Sequence, residues 1–397
     1  MSSHGIRDKV AIIGMGCTKF GELWDRSTAD LLVEASEDSL KSAGVTLGDV
    51  DAFWLGTMDS GYSGLTLSTA LKTHGKPVTR VENMCATGSE ALRGAVYAVA
   101  SGAVDVAMAI GVEKLKDSGF SGLVRADPPD DGTPTETTAP AAFSYLAPAY
   151  QDAYGLDEQT MRETLSHIAV KNHANGARNE RAQFRTPVTA EAVSRSPLVA
   201  GALGIFDCSG VADGAAAAIV VRAEDAHRYT DKPRYVKALS IVAGSGTAIL
   251  DDDASFASIP EVAASAAEAY RQAGIEDPRR EVSLAEVHDC FTPTELVLME
   301  DLGFSSRGKA YRDVLDGVFD ADGQLPVNID GGLKSFGHPI GATGLRMAFE
   351  CWQQFRGEAG ERQLPNPEIG LTHNLGGRPG RCVSFVGIFG KSPSDSQ

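Results

Sequence analysis

No apolar run in this sequence approaches the roughly 20 residues that a bilayer-crossing helix needs, so no spanning helix is expected. The stretch over residues 1–14 has too short an apolar run, and too early a strand pattern, for a secretory signal, and the chain reads as cytoplasmic. Positive charge is scarce as well. The 36 Lys and Arg stand against 53 Asp and Glu, a net charge of −17, which argues against a nucleic-acid partner. An anionic ligand held by a local basic patch or a helix N-terminus stays open. Six cysteines (17, 85, 208, 290, 351 and 382) form no Cys-x-x-Cys pair, so they read as reduced, mostly buried thiols, with one or two available for chemistry. Several familiar ligand motifs fail. Gly14-Met-Gly16 lacks the third glycine of a dinucleotide fingerprint, and Ala310 stands where a phosphate loop after Gly308-Lys309 needs Ser or Thr. Gly61-Tyr-Ser63-Gly64 has its second glycine misplaced for a nucleophile elbow. Asp251–Asp253 reads as a solvated loop rather than a metal site.

What is present is ordinary in bulk and unusual in pattern. The 397 residues, 43% hydrophobic and 22% charged, suffice for two cores or one duplicated one, and 43 glycines predict tight turns and close backbone approaches. The chain repeats itself. Lys9–Gly14 and Arg234–Gly244 are apolar strands ending in glycine, each followed by a helix pattern closing in Ala43-Gly44-Val45 or Ala273-Gly274-Ile275. Ala52–Gly56 matches Ala285–His288, Ala86-Thr87-Gly88 matches Ala342-Thr343-Gly344 at the start of a long helix, and Asp105–Gly111 matches Gly370–Gly376. This alternation predicts a parallel-rich sheet with crossover helices in each of two halves, 1–230 and 231–397, stacked as layered α/β. Ligands in such folds sit at strand carboxyl ends and helix starts. The residues just before Ala86 and Ala342, namely Cys85 and Gly337-His338-Pro-Ile-Gly341, should therefore face one site. Between about 115 and 200 the pattern loosens into turns around Pro128–Pro134, then helical stretches near 147–155 and 161–176, an insertion read as a lid. The tail 391–397 is polar and expected to fray.

Cys85 precedes a small-residue helix start, where a helix N-terminus favours a thiolate and predicts a lowered pKa. Taken alone, the segment fits a nucleophile or a buried structural cysteine. His338, on a rigid Gly/Pro loop opposite Cys85, is suited to take a thiol proton. His288-Asp289-Cys290-Phe291 brings a second imidazole and a second thiol to another strand-to-helix switch, with Thr292 or Asp289 as candidate caps. Asn374-Leu375-Gly376-Gly377 closes the last repeat unit, and its glycines can present N–H groups as an oxyanion hole. Metal binding is the weaker alternative, because the Cys/His set lacks close ligand spacing and each member sits on a different element. Cys17, Cys208, Cys351 and Cys382 read as structural.

Asn83-Met-Cys85-Ala-Thr-Gly88, His288-Asp-Cys290-Phe291, Gly337-His338-Pro-Ile-Gly341 and Asn374-Leu-Gly376 stand in the order of the thiolase superfamily, and the resemblance covers nearly the whole chain. It is closest to the sterol-carrier-type and the archaeal/bacterial acetoacetyl-CoA thiolases. The resemblance implies a dimeric fold, αβαβα layers from two βαβαβαββ halves, with a loop domain in the first half. It implies that Cys85 carries the acyl group, that His338 activates it, and that Cys290 moves the proton at the α-carbon of acetyl-CoA. His288 and His338 would hold the enolate oxygen, and the backbone N–H groups of Cys85 and Gly376 the acyl oxyanion. Asn374 and Phe291 are candidates for substrate positioning.

One departure from the pattern matters. Many biosynthetic thiolases carry their second cysteine near the C-terminus, where this chain has Asn374-Leu-Gly376. In the sterol-carrier-type branch that thiol moves to the position of Cys290, so Asn374 is not assigned proton transfer. The resemblance implies acyl-CoA C-acetyltransfer, with coenzyme A thioesters as substrates, no metal and no tightly bound cofactor. Related chains include steroid side-chain aldolases without the nucleophilic cysteine and ring acyltransferase subunits of complexes; a non-catalytic subunit that binds a CoA thioester is a further reading. The joint presence of Cys85, Cys290 and Gly-His338-Pro argues against the aldolase and the intact acid–base set against the non-catalytic subunit, while the ring acyltransferase stays open. A homodimer or dimer of dimers is expected, and a separate zinc-ribbon/OB-fold protein is a possible partner.

Overall fold

The computed structural model describes residues 5–117, 138–247 and 255–394. The Pro128–Pro134 turns and Asp251–Asp253 lie outside these residues. The described residues form eleven strands: β1 (Val10–Cys17), β2 (Ala52–Gly56), β3 (Val78–Val81), β4 (Val106–Glu113), β5 (Leu198–Ala200), β6 (Leu203–Gly204), β7 (Gly214–Arg222), β8 (Arg234–Ala243), β9 (Leu284–Glu286), β10 (Ile369–Arg378) and β11 (Arg381–Gly390). β5 and β6 make a small separate hairpin. The other nine form one sheet in the order β3-β2-β4-β7-β1-β8-β11-β10-β9.

The order is a mirror image about β1/β8. Outward from that pair run β7, β4, β2 and β3 on one side, and β11, β10 and β9 on the other. In place of a tenth strand there is a single parallel bridge, Ala285 to Val327, where β3 lies in the first half. The duplication seen in the sequence is thus the sheet's symmetry. The sheet is mixed rather than parallel-rich: β2/β3, β2/β4 and β9/β10 are parallel, and the remaining ladders are antiparallel. The main reason is that each half ends in a strand (β7, β11) that lies antiparallel to both neighbours.

Layering follows from which faces are apolar. Every residue of β1 and β4 is buried, the mark of strands covered on both sides. The helices Thr87–Ala100 and Thr343–Arg356 are the middle layer. The second buries twelve of its fourteen residues, among them Arg346, Glu350 and Gln354. The helices Thr28–Ala43 and Pro260–Ala273 are amphipathic and lie outside, with about half or fewer of their residues buried. Ser27 and Asp30 close a capping box on the first, and Gly44 ends it in the left-handed conformation.

Between β4 and β7 lie the helices Leu146–Tyr154 and Glu158–Ala177, matching the helical stretches read from the sequence. The helix Thr292–Asp301 starts after Phe291, with neither expected cap. Thr292 instead donates its hydroxyl proton to Asp207 (2.7 Å), and Asp289 accepts from the N–H groups of Leu333 (2.6 Å) and Lys334 (3.3 Å).

Candidate active site

A cavity of about 310 Å³ opens where the two middle helices begin. Its lining is mostly apolar (Met58, Met84, Leu115, Phe143, Val211, Phe291 and Ile340 among others) and includes Cys85, Cys290, His288, His338 and Gly376. A larger and more open groove of about 650 Å³, around Lys232, Arg234 and Arg356, contains none of these groups.

Cys85 lies at the turn between β3 and the helix Thr87–Ala100. Met84 before it holds φ at +49°, a left-handed conformation that costs a residue with a Cβ on the order of 1–2 kcal/mol. The turn is kept by Thr87, whose hydroxyl donates to the Met84 carbonyl (2.5 Å) and accepts from the Asn83 N–H (2.9 Å). The thiol is half-buried. Burial, and after it the negative charge of Glu113, push its pKa up to about 12. This corrects the expectation of a thiolate stabilised by the helix start. In the resting site the thiol is protonated and needs a base.

His338 presents its imidazole to the same cavity. The Thr343 hydroxyl donates to the Pro339 carbonyl (3.0 Å), so it meets His338 Nδ1, 2.7 Å away, as an acceptor. Nδ1 therefore carries the imidazole proton and Nε2 the free lone pair. Nε2 is buried and has no protein partner among the described residues. Burial, aided by the positive charge of Arg346, lowers the His338 pKa to about 3, and the ring is neutral. His288 packs edge-on against it with ring centroids 5.4 Å apart, and burial holds it neutral too. One thiol or ring-nitrogen atom from each of Cys85, His288 and His338 lies within 4.8 Å of the others. This is also the one cluster among the described residues whose ligand atoms could meet on a metal ion.

Cys290 is buried beside Thr294 Oγ1 (3.7 Å), and burial, with the neighbouring Cys85 after it, pushes its thiol well above the ordinary range. It is protonated at rest. Asp289 fastens this segment, binding Asn172 Nδ2 (2.8 Å) as well as the N–H groups of Leu333 and Lys334. Burial and the neighbouring Glu295 raise the Asp289 carboxyl to about 7.

Two features were missed in the sequence. Glu113, at the end of β4, accepts from the N–H groups of Met58, Asp59 and Ser60, from the hydroxyls of Thr57 and Ser60, and from the N–H of Gly341 (all 2.8–3.0 Å). One buried carboxylate thus ties the histidine loop to the turn after β2. That loop can lie against β4 only because Gly111 and Gly341 have no side chains; a Cβ on either would strike the other segment's backbone. Cys208 and Cys382, read as structural, also line the cavity.

The remaining expected groups divide. Gly376 faces the cavity, and a Cβ there would collide with the Asn83 carbonyl oxygen, two residues before Cys85. Phe291 lines the cavity and stacks at 5.0 Å on Phe143. Asn374 does not line it. It is fully buried and accepts the Ser89 hydroxyl proton at 2.6 Å, joining β10 to the helix Thr87–Ala100.

A layered α/β chain of two like halves, bringing two thiols and two neutral imidazoles to one apolar cavity, has the architecture of a thiol-dependent acyl-transfer fold. The comparisons with known proteins give it a family. Residues 10–224 match the thiolase N-terminal domain and residues 244–386 the thiolase C-terminal domain-like family, and the chain belongs to the thiolase family. It is 41% identical over 385 residues to an acetyl-CoA acetyltransferase of Methanothermobacter thermautotrophicus, covering 95% of this chain and 98% of that one. It is 32% identical over 392 residues to human sterol carrier protein 2, covering 93% of this chain and 70% of that protein. The solved structure of an Ltp2–ChsH2(DUF35) aldolase superposes with a TM-score of 0.81 at 25% identity, over 98% of this chain and 99% of that one. No described helix is long and apolar enough to cross a membrane.

Proposed function

We propose that the protein is an acyl-CoA C-acetyltransferase that makes and cleaves 3-ketoacyl-CoA, such as acetoacetyl-CoA, through an acyl thioester on Cys85. The observation that carries this reading is the convergence of Cys85, His288 and His338 within 4.8 Å at an apolar cavity that Cys290 also lines. The 41% identity to an archaeal acetyl-CoA acetyltransferase supports it. The aldolase and scaffold readings find no support in a site that retains both thiols.

In the cleavage direction His338 Nε2 takes the Cys85 proton, and the thiolate sulfur attacks the 3-keto carbon. The oxyanion is held by the N–H groups of Cys85 and Gly376. The bond between the α-carbon and the former keto carbon then breaks. Its electrons pass to an acetyl-CoA enolate whose oxygen lies against the two imidazoles, and Cys290 protonates the α-carbon. Coenzyme A next gives its thiol proton to the Cys290 thiolate and attacks the acyl carbon. Cys85 leaves and recovers its proton from His338. Synthesis is the reverse.

Both thiol protons, the His338 lone pair and the imidazole N–H groups that face the enolate oxygen have roles here, so the chemistry needs neither metal nor redox cofactor, and coenzyme A enters only as substrate. Phe291 and Phe143 would shape the acyl pocket, whereas Asn374 would act from behind the wall. The chain would divide near residue 230 into two thiolase halves, the first carrying the insertion as a lid, and would work in the cytoplasm. β3 ends the sheet beside the exposed Tyr62 and Leu65, which supports pairing of two copies there. The DUF35 component of the structural neighbour supports a separate partner protein. The test is acetoacetyl-CoA cleavage with and without coenzyme A. Cleavage that depends on coenzyme A and vanishes in Cys85→Ala is expected, and normal turnover of that variant would refute the mechanism.

A further inference from the structure

We infer that Arg378 and Arg381 clamp a phosphate group of coenzyme A at the mouth of the cavity, a step that builds on the thioester reading above. Both residues line the cavity. They form the last pair of the β10/β11 ladder, directly opposite one another across the Pro379-Gly380 turn. Residues so paired have Cβ atoms about 5 Å apart, and like charges there repel. Neither guanidinium has an ion-pair partner among the described residues, although the chain carries a net charge of −17. Two adjacent, uncompensated guanidinium groups are an arrangement that an anion would relieve, and their planar forks suit phosphate oxygens.

Placement gives the anion its identity. Arg378 follows Gly376 by two residues along β10, about 7 Å further from the Cys85 turn. The side chains carry the charges outward by their own length. A thioester held at Cys85 would run its pantetheine arm along the apolar cavity, and its phosphates would come toward these two charges. The turn is fixed rather than free: Pro379 is buried, and its carbonyl accepts the Tyr145 hydroxyl proton at 3.4 Å.

The experiment is calorimetric titration of the full chain with coenzyme A and with pantetheine, for the wild type and for Arg378→Gln/Arg381→Gln. The wild type should bind coenzyme A more tightly than pantetheine. The double variant should lose about tenfold or more in affinity for coenzyme A and keep its affinity for pantetheine. Equal weakening toward both ligands would mean a structural role, and an unchanged preference for coenzyme A would mean no role; either overturns the inference. A third arm compares acetoacetyl-CoA with a 3-ketoacyl-CoA ending in a carboxylate. A loss confined to the carboxylated substrate would assign the arginines to the acyl tail instead. If the wild type binds coenzyme A through these arginines yet never cleaves acetoacetyl-CoA, the thiolase reading falls while the clamp stands.

Discussion

Replacing Thr343 by valine tests how the catalytic base is set. The change removes one hydroxyl and keeps the branched shape. That hydroxyl now accepts the His338 Nδ1 proton at 2.7 Å and spends its own proton on Pro339. Without it a buried imidazole N–H has no partner, at a cost of about 1–3 kcal/mol. The alternative tautomer, with the proton on Nε2, escapes that cost but has no lone pair facing Cys85. Either way the base is weakened by that amount. At about 1.4 kcal/mol per decade, kcat and kcat/KM for acetoacetyl-CoA thiolysis should fall roughly 5- to 150-fold, with KM little changed. The Thr343→Ser variant keeps the hydroxyl and should remain within about twofold of wild type. A well-folded Thr343→Val enzyme with unaltered kcat, or an equal loss in both variants, would refute the assignment of Nε2 as the base.

Three further outcomes follow from the same geometry. With the Cys85 pKa up at about 12 and that of His338 down at about 3, both are neutral in the resting enzyme. Iodoacetamide labelling of Cys85 should therefore keep accelerating as pH rises through 9, and a plateau beginning near pH 7 would indicate a preformed thiolate–imidazolium pair. Glu113→Gln removes the charge that opposes the thiolate and turns an amide N–H toward backbone donors. Labelling of Cys85 at pH 8 should quicken while stability falls by roughly 1–3 kcal/mol in chemical denaturation, and slower labelling would contradict the sign. Gly376→Ala places a methyl group against the Asn83 carbonyl and should lower kcat about tenfold or more with the fold retained in circular dichroism; a fully active variant would remove Gly376 from the site.

Much of this was legible in the residues. Periodicity and repeated punctuation located β1 with β8, β2 with β9, and β4 with β10, because glycine-ended apolar strands leave a clear local signature. The meeting of Cys85 with the histidine loop followed from matching Ala86-Thr87-Gly88 with Ala342-Thr343-Gly344. The antiparallel return strands were not legible, since a buried strand reads the same in either direction. The protonation state of Cys85 was misread for a related reason. A helix start is visible in a sequence, but the apolar cavity and the Glu113 carboxylate beside the thiol are products of tertiary packing. Glu113 lies 28 residues from Cys85 in a run that reads only as a strand end. Thr343 was seen as half of a repeat, and its link to His338, five residues earlier, appears once the loop is folded. Cys208 and Cys382 belong to segments without motif and reach the cavity through the folding of the insertion and of β11.

The central claim is that Cys85 holds the acyl group, and the most direct measurement is peptide mass spectrometry after brief exposure of the enzyme to acetyl-CoA. An acetyl group on the peptide containing Cys85, released by added coenzyme A and absent from Cys85→Ala, is the predicted result. Acetyl on Cys290, Cys208 or Cys382 with Cys85 unmodified would contradict it.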